Sequence, residues 1–348
     1  MKTNAMILAC CLLTAASAPG ATFNLTEHDN LQAKIDAANG GDILLLSTGT
    51  YGGFTLTDRH FTAERPLVIK AAPGATPVLR GPGYRGHLAF ISNASYVVLD
   101  GLTLEHCNQP IYCTSIDHCI FVNLVIHDTG QEAIHLRGRS HDVDIRHCRI
   151  SDTGHTQPQW AEGIYVGMGQ RPYESVENVW IEGNDISATG NSEGINLKSR
   201  SYHVTIRGNK VHDLAPGTAT QHNEAAISCE AADLDYRPGV DPDIWIEQNE
   251  IYRVRHGRWA NGIKVSTMGG RILRNTIHDC EQFGIAFNAY ENGPGVFPAW
   301  LYGNQITQCA AGAIGDSVLP RRNEDPGANP NRPQAWYAPG GPLPIRVP

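Results

Sequence analysis

A short pattern of apolar and polar positions recurs along the second half of the chain. Two apolar residues, two positions apart, are followed by a polar or Gly position, then Asn, one further residue and Ile or Val. A single coil of this kind could not bury its apolar side alone, so the repeat is typical of a stacked solenoid. The Asn positions recur every 25 to 40 residues: Asn184, Asn209, Asn249, Asn275 and Asn304.

Parallel strands joined by crossovers wind right-handed. We therefore predict an all-β fold, a right-handed single-stranded parallel β-helix with regular coils from about Tyr96 to Ile314. The Asn residues should stack as a hydrogen-bonded ladder; the alternative is an all-β sandwich with coincidental Asn spacing. Extended segments are predicted at residues 43–46, 67–70, 78–79 and 97–99, after a helix at 31–38 that covers the open end of the solenoid.

A second repeat lies in phase with the first. Gly or Ala precedes Ile, and another apolar residue follows two positions later, at Ile134, Ile164, Ile195, Ile227, Ile263 and Ile285. The apolar residues of these strands face inward, so the residues between and after them point outward. Insertions flank these strands at residues 154–160, 167–174, 215–223, 231–243, 255–259 and 289–298. Loops on both margins make this sheet the floor of a groove, which suits a polymer better than a small molecule.

The outward positions of this floor carry the candidate chemistry. His135, Tyr165, Asn196 and Lys264 follow the Ile residues by one position, and Arg137, Lys198 and Glu230 follow by three. Glu132, Glu162 and Glu193 precede them by two, so they should form a column with ~4.8 Å between coils. Such a column repels itself unless a cation sits in it, and calcium favours several carboxylate oxygens. The alternative is neutralisation by Arg137, Arg139 and Arg200.

Lys198 lies in the middle of the floor, between Asn196 and Arg200. A Lys among other cations in a desolvating groove can lose its proton near neutral pH and act as a base. The alternative is an ordinary outward Lys that pairs with Glu230 on the next coil.

The stretch Asn191-Ser-Glu193-Gly-Ile-Asn-Leu-Lys198-Ser resembles the calcium-and-base strand of the chondroitinase B/alginate lyase family of polysaccharide lyases. That resemblance implies Lys198 as the catalytic base and Glu162, Asn191 and Glu193 as calcium ligands. The opening of the chain is similar to the wider pectate-lyase-like β-helix superfamily, which supports the fold more than the activity. The family places a second catalytic cation on the coil after the Lys. No Arg stands there, so Arg200 or His222 would have to substitute.

The implied reaction is β-elimination on a uronic-acid polysaccharide such as alginate, pectate or a glycosaminoglycan. A cation or Arg neutralises the carboxylate, Lys198 removes the C5 proton, and Arg200, His222 or Tyr202 assists the leaving O4. The other floor residues would bind substrate: His135, Arg137, Tyr165, Asn196, Glu230 and Lys264. A C5-epimerase, a glycoside hydrolase with paired Glu, and a glycan-binding β-helix without catalysis remain alternatives.

Composition and targeting signals place limits on partners and location. Net charge is −8, so the surface has no bulk attraction for nucleic acid. Residues 1–21 read as a secretory signal, which predicts a secreted or periplasmic protein with no membrane span, and we expect a monomer. The β-helix should occupy residues 22–319 and a Pro-rich tail 320–348, which either wraps the last coil or dangles. Cys107, Cys280 and Cys309 share one small inward coil position, which favours core filling over disulfides.

Overall fold

The computed structural model of the chain describes residues 20–169, 174–198, 200–214, 225–230, 240–255, 260–266, 270–288, 299–315, 321–334 and 336–337. Its named strands pair only in parallel, each with its counterparts on the coils before and after, which confirms the predicted parallel β-helix. In chain order the elements are β1 (Thr22–Leu25), α1 (Leu31–Ala37), β2 (Ile43–Leu46), β3 (Gly49–Tyr51), β4 (Phe54–His60), β5 (Leu67–Ala71), β6 (Pro77–Arg80), β7 (Ala89–Ser95), β8 (Val97–Asp100), β9 (Thr103–Cys107), β10 (Ile111–Val122), β11 (Val125–Thr129), β12 (Ile134–Arg137), β13 (His141–Arg146), β14 (Arg149–Ile150), a 3₁₀ turn (Pro158–Trp160), β15 (Ile164–Val166), β16 (Val176–Glu182), β17 (Asp185–Ser187), β18 (Ile195–Leu197), β19 (Ser201–Arg207), β20 (Lys210–Leu214), β21 (Ala225–Cys229), β22 (Trp245–Glu247), β23 (Glu250–Val254), β24 (Asn261–Ser266), β25 (Arg271–Leu273), β26 (Thr276–Cys280), β27 (Phe283–Asn288), β28 (Ala299–Tyr302), β29 (Gln305–Thr307), β30 (Gly312–Ile314) and β31 (Arg321–Arg322).

Each coil contributes strands to three faces. The floor face contains β4, β7, the first half of β10, β12, β15, β18, β21, β24, β27 and β30. The face that we call the outer face contains β1, β2, β5, β8, the second half of β10, β13, β16, β19, β22, β25, β28 and β31. A separate sheet forms the third face, from β3 and β6 through to β29. Inward Ile, Leu, Val and Cys side chains from all three faces fill one continuous core.

The predicted Asn ladder is present and holds the coils in register. The side-chain amide of Asn184 donates to Asn209 Oδ1 (2.9 Å), and Asn209 donates to Asn249 Oδ1 (3.0 Å). The series continues through Asn275 to Asn304, each step at 2.9 Å. Each amide is also bonded to backbone, as where Asn209 Nδ2 donates to Ile181 O (2.9 Å). The ladder therefore satisfies the buried polar groups at this bend.

The first coils begin earlier than the Asn repeat indicated. The four extended segments predicted near the N-terminus are present as β2, β5, β6 and β8, while β1, β4 and β7 carry no Asn signal and were not predicted. Helix α1 begins after Asn30, whose side chain accepts from Ala33 N (3.0 Å), and it buries Leu31 and Ile35. That this helix caps the solenoid stays a prediction.

The described part of the C-terminal tail begins as β31, which pairs with β28, and then runs back along the outer face, a path that the prediction did not include. Arg274 pairs with Asp325, and Asn329 donates to Glu247 (2.9 Å). The backbone of Gln334 then donates to Asp144 (2.8 Å) on an earlier coil. Still earlier coils receive the end of this segment, where Trp336 and Tyr337 cover Val68, Val98, Ile120 and Val122 and Tyr337 donates to Asp100. Buried aromatic surface holds the tail there, because its outer-face partners are apolar.

Several predictions fall wholly or largely outside the described residues. These include the signal sequence and most of the insertions after residue 214. In the described part of the chain, no helix is long and apolar enough to cross a membrane.

Candidate functional site

One column of outward residues runs along the floor face. The strand register places His135 beside Tyr165, Tyr165 beside Asn196, and Asn196 beside Ser228 on successive coils. Lys264 follows Ser228, as the sequence alignment predicted. Before His135 the same column holds Phe90 and Tyr112, whose strands lie outside the repeat, so these two residues were not predicted.

The middle of this column contains polar atoms without hydrogen-bond partners among the described residues. Both side-chain atoms of Asn196 and the hydroxyl of Ser228 are buried and unbonded, and so is Glu162 Oε2. Asn196 and Ser228 are fully buried. Burying polar groups without partners costs free energy, so native proteins rarely do it outside functional sites. These atoms mark where a polar ligand would supply the missing bonds.

The predicted Glu column lies directly beside these residues. Ala133 N donates to Glu162 O (3.0 Å) and Gly163 N to Glu193 O (3.1 Å), which places Glu132, Glu162 and Glu193 on successive coils. Burial raises the pKa of Glu162 well above its usual range, and the charges of Glu193 and Glu132 raise it further. Glu162 and Glu193 are both buried, and their negative charges repel each other. A shared proton or a bound cation would remove that repulsion.

Lys198 lies between Glu230 and Tyr165. Its Nζ is 2.6 Å from Glu230 Oε2 and 5.5 Å from the centre of the Tyr165 ring. A methyl group placed on Gly169 would be 3.3 Å from Tyr165 Oη and 3.8 Å from Lys198 Cε, so the hydroxyl and the Lys side chain approach the same point. The backbone N–H of Gly169 donates to Tyr165 Oη (3.1 Å), which leaves the phenolic proton free to be donated elsewhere.

The charge state of Lys198 differs from the expectation. Burial lowers its pKa, but the carboxylates of Glu193 and Glu230 outweigh burial, and the net pKa of Lys198 is raised. The expectation of a lowered pKa rested on neighbouring cations, whereas the nearest charges are anionic. The predicted alternative, an ion pair with Glu230, is present. Burial also raises the pKa of Tyr165, so its phenol stays protonated.

His135 and Arg137 border the other side of Tyr165. The rings of His135 and Tyr165 are 4.6 Å apart, and burial, together with Arg137, lowers the pKa of His135 to about 3. His135 is therefore a neutral imidazole. Arg137 donates to Tyr112 Oη (2.6 Å), which orients its guanidinium along the floor. A fixed, permanently charged guanidinium suits a carboxylate-bearing ligand.

Of the remaining predicted residues, Lys264 lies on the floor, Arg200 in a turn, Tyr202 on the outer face and His222 outside the described residues. Lys264 is buried on the floor two coils beyond Asn196. Arg200 occupies a turn with φ +63°, and its carbonyl accepts from Val176 N (3.0 Å). Tyr202 lies on β19 of the outer face and not on the floor. His222 lies outside the described residues.

The donor set of Glu162 and Glu193 suits calcium, which takes carboxylate oxygens, and Glu162 Oε2 is available for one. One oxygen of Glu193 accepts from Ser192 Oγ (2.8 Å), and Asn191 lies in the turn two residues before it. Two other groups among the described residues bring three His and Asp ligand atoms within 4.8 Å, namely His118–His141–Asp142 and Asp128–Asp152–His155. Neither group includes a Glu of the column.

Comparisons with known proteins agree with this architecture. The family model for a right-handed β-helix region matches residues 87–232. An alginate lyase from Paenibacillus sp. str. FPU-7 superposes with a TM-score of 0.73 at 22% identity, over 86% of this chain and 99% of that chain.

Two further structures share the fold at lower similarity. Pectate lyase Pel9A has a TM-score of 0.60 at 12% identity, over 92% of this chain and 83% of that one. The A-module of Azotobacter vinelandii mannuronan C-5 epimerase AlgE4 has a TM-score of 0.55 at 13% identity, over 88% and 90%. A search of curated proteins gives no match. At these identities the likeness establishes the right-handed parallel β-helix, and the expected resemblance is confirmed at that level.

Proposed function

We propose that this protein is an exported polysaccharide lyase that cleaves a uronic-acid polymer by β-elimination. The observation that carries the proposal is the convergence of Lys198 and the Tyr165 hydroxyl beside unbonded buried polar atoms on the floor. The structures similar to this chain include an alginate lyase and a pectate lyase, whose substrates are uronans.

The reaction needs three functions, and the floor offers a residue for each. Arg137 neutralises the uronate carboxylate, which makes the C5 proton more acidic. Lys198 in its neutral form takes that proton, the C5–H electron pair forms the C4=C5 double bond, and the C4–O4 bond breaks. Tyr165 donates its phenolic proton to the departing O4. Tyr165 replaces Arg200 and His222 as the proposed acid, because its hydroxyl lies on the Lys198 side of the floor.

For Lys198 to act in its neutral form, the effect of the neighbouring carboxylates on its pKa must be reduced. Glu193 and Glu230 raise its pKa, so reducing the charge of either would favour the neutral base. Calcium held by Glu162 and Glu193, with Asn191, would offset the Glu193 charge and add positive charge beside the uronate. Glu230 then remains as the group that controls the protonation of Lys198.

A glycoside hydrolase is disfavoured because its candidate carboxylates have other roles. Glu162 and Glu193 are the ligands proposed for calcium, and burial, followed by the charge of Glu193, raises the pKa of Glu162. Glu230 is engaged by Lys198. An epimerase shares the proton abstraction and differs in that O4 stays bound to C4. The position of the Tyr165 hydroxyl, available for a leaving oxygen, favours elimination.

The experiment is to incubate the protein with alginate, pectate and glycosaminoglycans and to follow the absorbance of a new C=C bond at roughly 235 nm. We expect absorbance with at least one uronan and none with Lys198→Ala. The matched control is Lys210→Ala, because Lys210 lies on β20 of the third face. Incorporation of solvent deuterium at C5 without absorbance would replace the lyase with an epimerase. Neither signal with any uronan would contradict the proposal.

A further inference from the structure

The last two coils place two thiols against each other. Strands β26 and β29 pair in register, Ile277 with Ile306 and His278 with Thr307, so Cys280 and Cys309 occupy the same position on neighbouring coils. Cys280 Sγ donates to His278 O (3.8 Å) and Cys309 Sγ to Thr307 O (3.4 Å), and the neighbouring Cys280 thiol lowers the pKa of Cys309. Coils in this sheet are ~4.8 Å apart, within the Cα separation of about 4.4–6.8 Å that disulfides span.

The other described thiols have different surroundings. Cys107, Cys119 and Cys148 are all buried, whereas Cys309 is partly exposed; their bonds to backbone carbonyls are of the same kind as those of Cys280 and Cys309. Cys107 has Thr129 as its neighbour on the next coil, so no second sulfur faces it there. Cys280 is buried, while Cys309 is partly exposed, which gives an oxidant in solution access to one member of the pair.

We propose that Cys280 and Cys309 form a redox-sensitive disulfide that links the last two coils of the solenoid. The expectation of simple core filling holds for Cys107, but this pair has the contact and the exposure for oxidation. Cys309 is the attacking group, because it is the more exposed thiol and the neighbouring Cys280 lowers its pKa. Thiolate character and access determine which thiol reacts first.

The chemistry requires an external disulfide such as oxidised glutathione. The Cys309 thiolate attacks one sulfur of that disulfide, forms a mixed disulfide and releases one reduced glutathione. Cys280 then loses its proton and attacks Cys309 Sγ, which forms the Cys280–Cys309 bond and releases the second glutathione. Two electrons pass to the oxidant, and the protein loses two hydrogen atoms.

The bond would fix the end of the groove floor. β27 begins at Phe283, three residues after Cys280, and β30 begins at Gly312, three residues after Cys309. The link closes a loop that includes a floor strand, and a closed loop restricts the unfolded chain. In an oxidising compartment the disulfide would thus link the last two described coils covalently. This link does not depend on substrate binding.

The test uses the full chain, first reduced and then equilibrated in an oxidised glutathione buffer. Thiols are counted in denaturant with a thiol-reactive dye, and disulfide-linked peptides are mapped by mass spectrometry. We expect the thiol count to fall by two, a peptide pair containing Cys280 and Cys309, and an unfolding midpoint raised by about 5 °C.

Two variants distinguish a disulfide between Cys280 and Cys309 from oxidation of other cysteines. Cys309→Ser should lose no thiols in the oxidising buffer. Cys107→Ser is the matched control, since Cys107 has the same coil position without a facing sulfur, and it should still lose two. The proposal is overturned if the wild-type chain keeps all its thiols, or if the mapped bond joins other cysteines.

Discussion

The floor face and the outer face are built from the same coils, yet their outward side chains differ in whether they have partners within the chain. On the outer face, Trp336 and Tyr337 of the tail cover the apolar row Val68, Val98 and Ile120. On the floor, Asn196 and Ser228 are buried with no described partner. The apolar row of the outer face is covered by the chain itself, whereas most of the buried polar atoms without a described partner lie on or beside the floor.

This difference separates structural residues from candidate functional ones better than burial does. Asn209 and Asn196 are both almost inaccessible to solvent. The ladder residue Asn209 bonds at each polar atom of its side chain, to Asn184, Asn249 and Ile181. Asn196 bonds at neither. Unsatisfied polar atoms are costly, and most of those among the described residues lie on or beside the floor, at His135, Glu162, Asn196 and Ser228, with two more at Arg146 on the outer face. A ligand on the floor would complete the larger group.

The largest expected effect concerns the floor. Tyr165→Phe removes the proposed acid while keeping the buried ring, so turnover of the uronan should fall ~10²–10⁴-fold with little loss of stability. Initial rates near saturation, with thermal unfolding as a check on folding, measure this. Tyr252→Phe is a matched control, since Tyr252 lies on β23 of the third face. Full activity in Tyr165→Phe would remove this residue from the mechanism.

The outer face should respond in the opposite way. Trp336→Ala uncovers the apolar row, and loss of a buried Trp costs ~3–5 kcal/mol, so the unfolding midpoint should fall by several degrees without a change in turnover. Asn323→Ala, at an exposed tail position, is the control. If Trp336→Ala abolished activity in folded protein, the two faces would not be independent.

The smallest effect compares two buried Asn residues. Asn209→Ala leaves the groups of Asn184 and Ile181 unbonded, at ~1–3 kcal/mol each, and should lower the free energy of unfolding. Asn196→Ala removes an amide with no partner, so stability should hold while KM for the substrate rises. Chemical denaturation and steady-state kinetics measure both. Equal losses of stability would mean that Asn196 has a structural partner.

The sequence was sufficient to predict the fold because the Asn repeat fixes the register of the later coils. Asn184 to Asn304 form one ladder, and the alignment on Ile residues placed His135, Tyr165 and Asn196 in one column. The path of the tail was not predictable, since it depends on an apolar row assembled from distant strands such as Val68 and Ile120.

The chemistry of the site was predicted less well. The position of Lys198 followed from the register, but its raised pKa depends on the combined charges of Glu193 and Glu230, which no local pattern reveals. The role proposed for Tyr165 depends on its approach to Gly169, a contact between a strand and an insertion. Calcium binding by Glu162, Asn191 and Glu193 stays a prediction.

The central claim is that neutral Lys198 acts as the base and that Glu230 controls its protonation. Its most direct measurement is the pH dependence of kcat/KM for the wild-type chain and Glu230→Gln, with Glu250→Gln on the third face as control. Because Glu230 raises the pKa of Lys198 and the base must be neutral, activity should increase with pH. Glu230→Gln should move that increase to lower pH, by roughly one unit or more. An unchanged profile, or a shift to higher pH, would contradict the account.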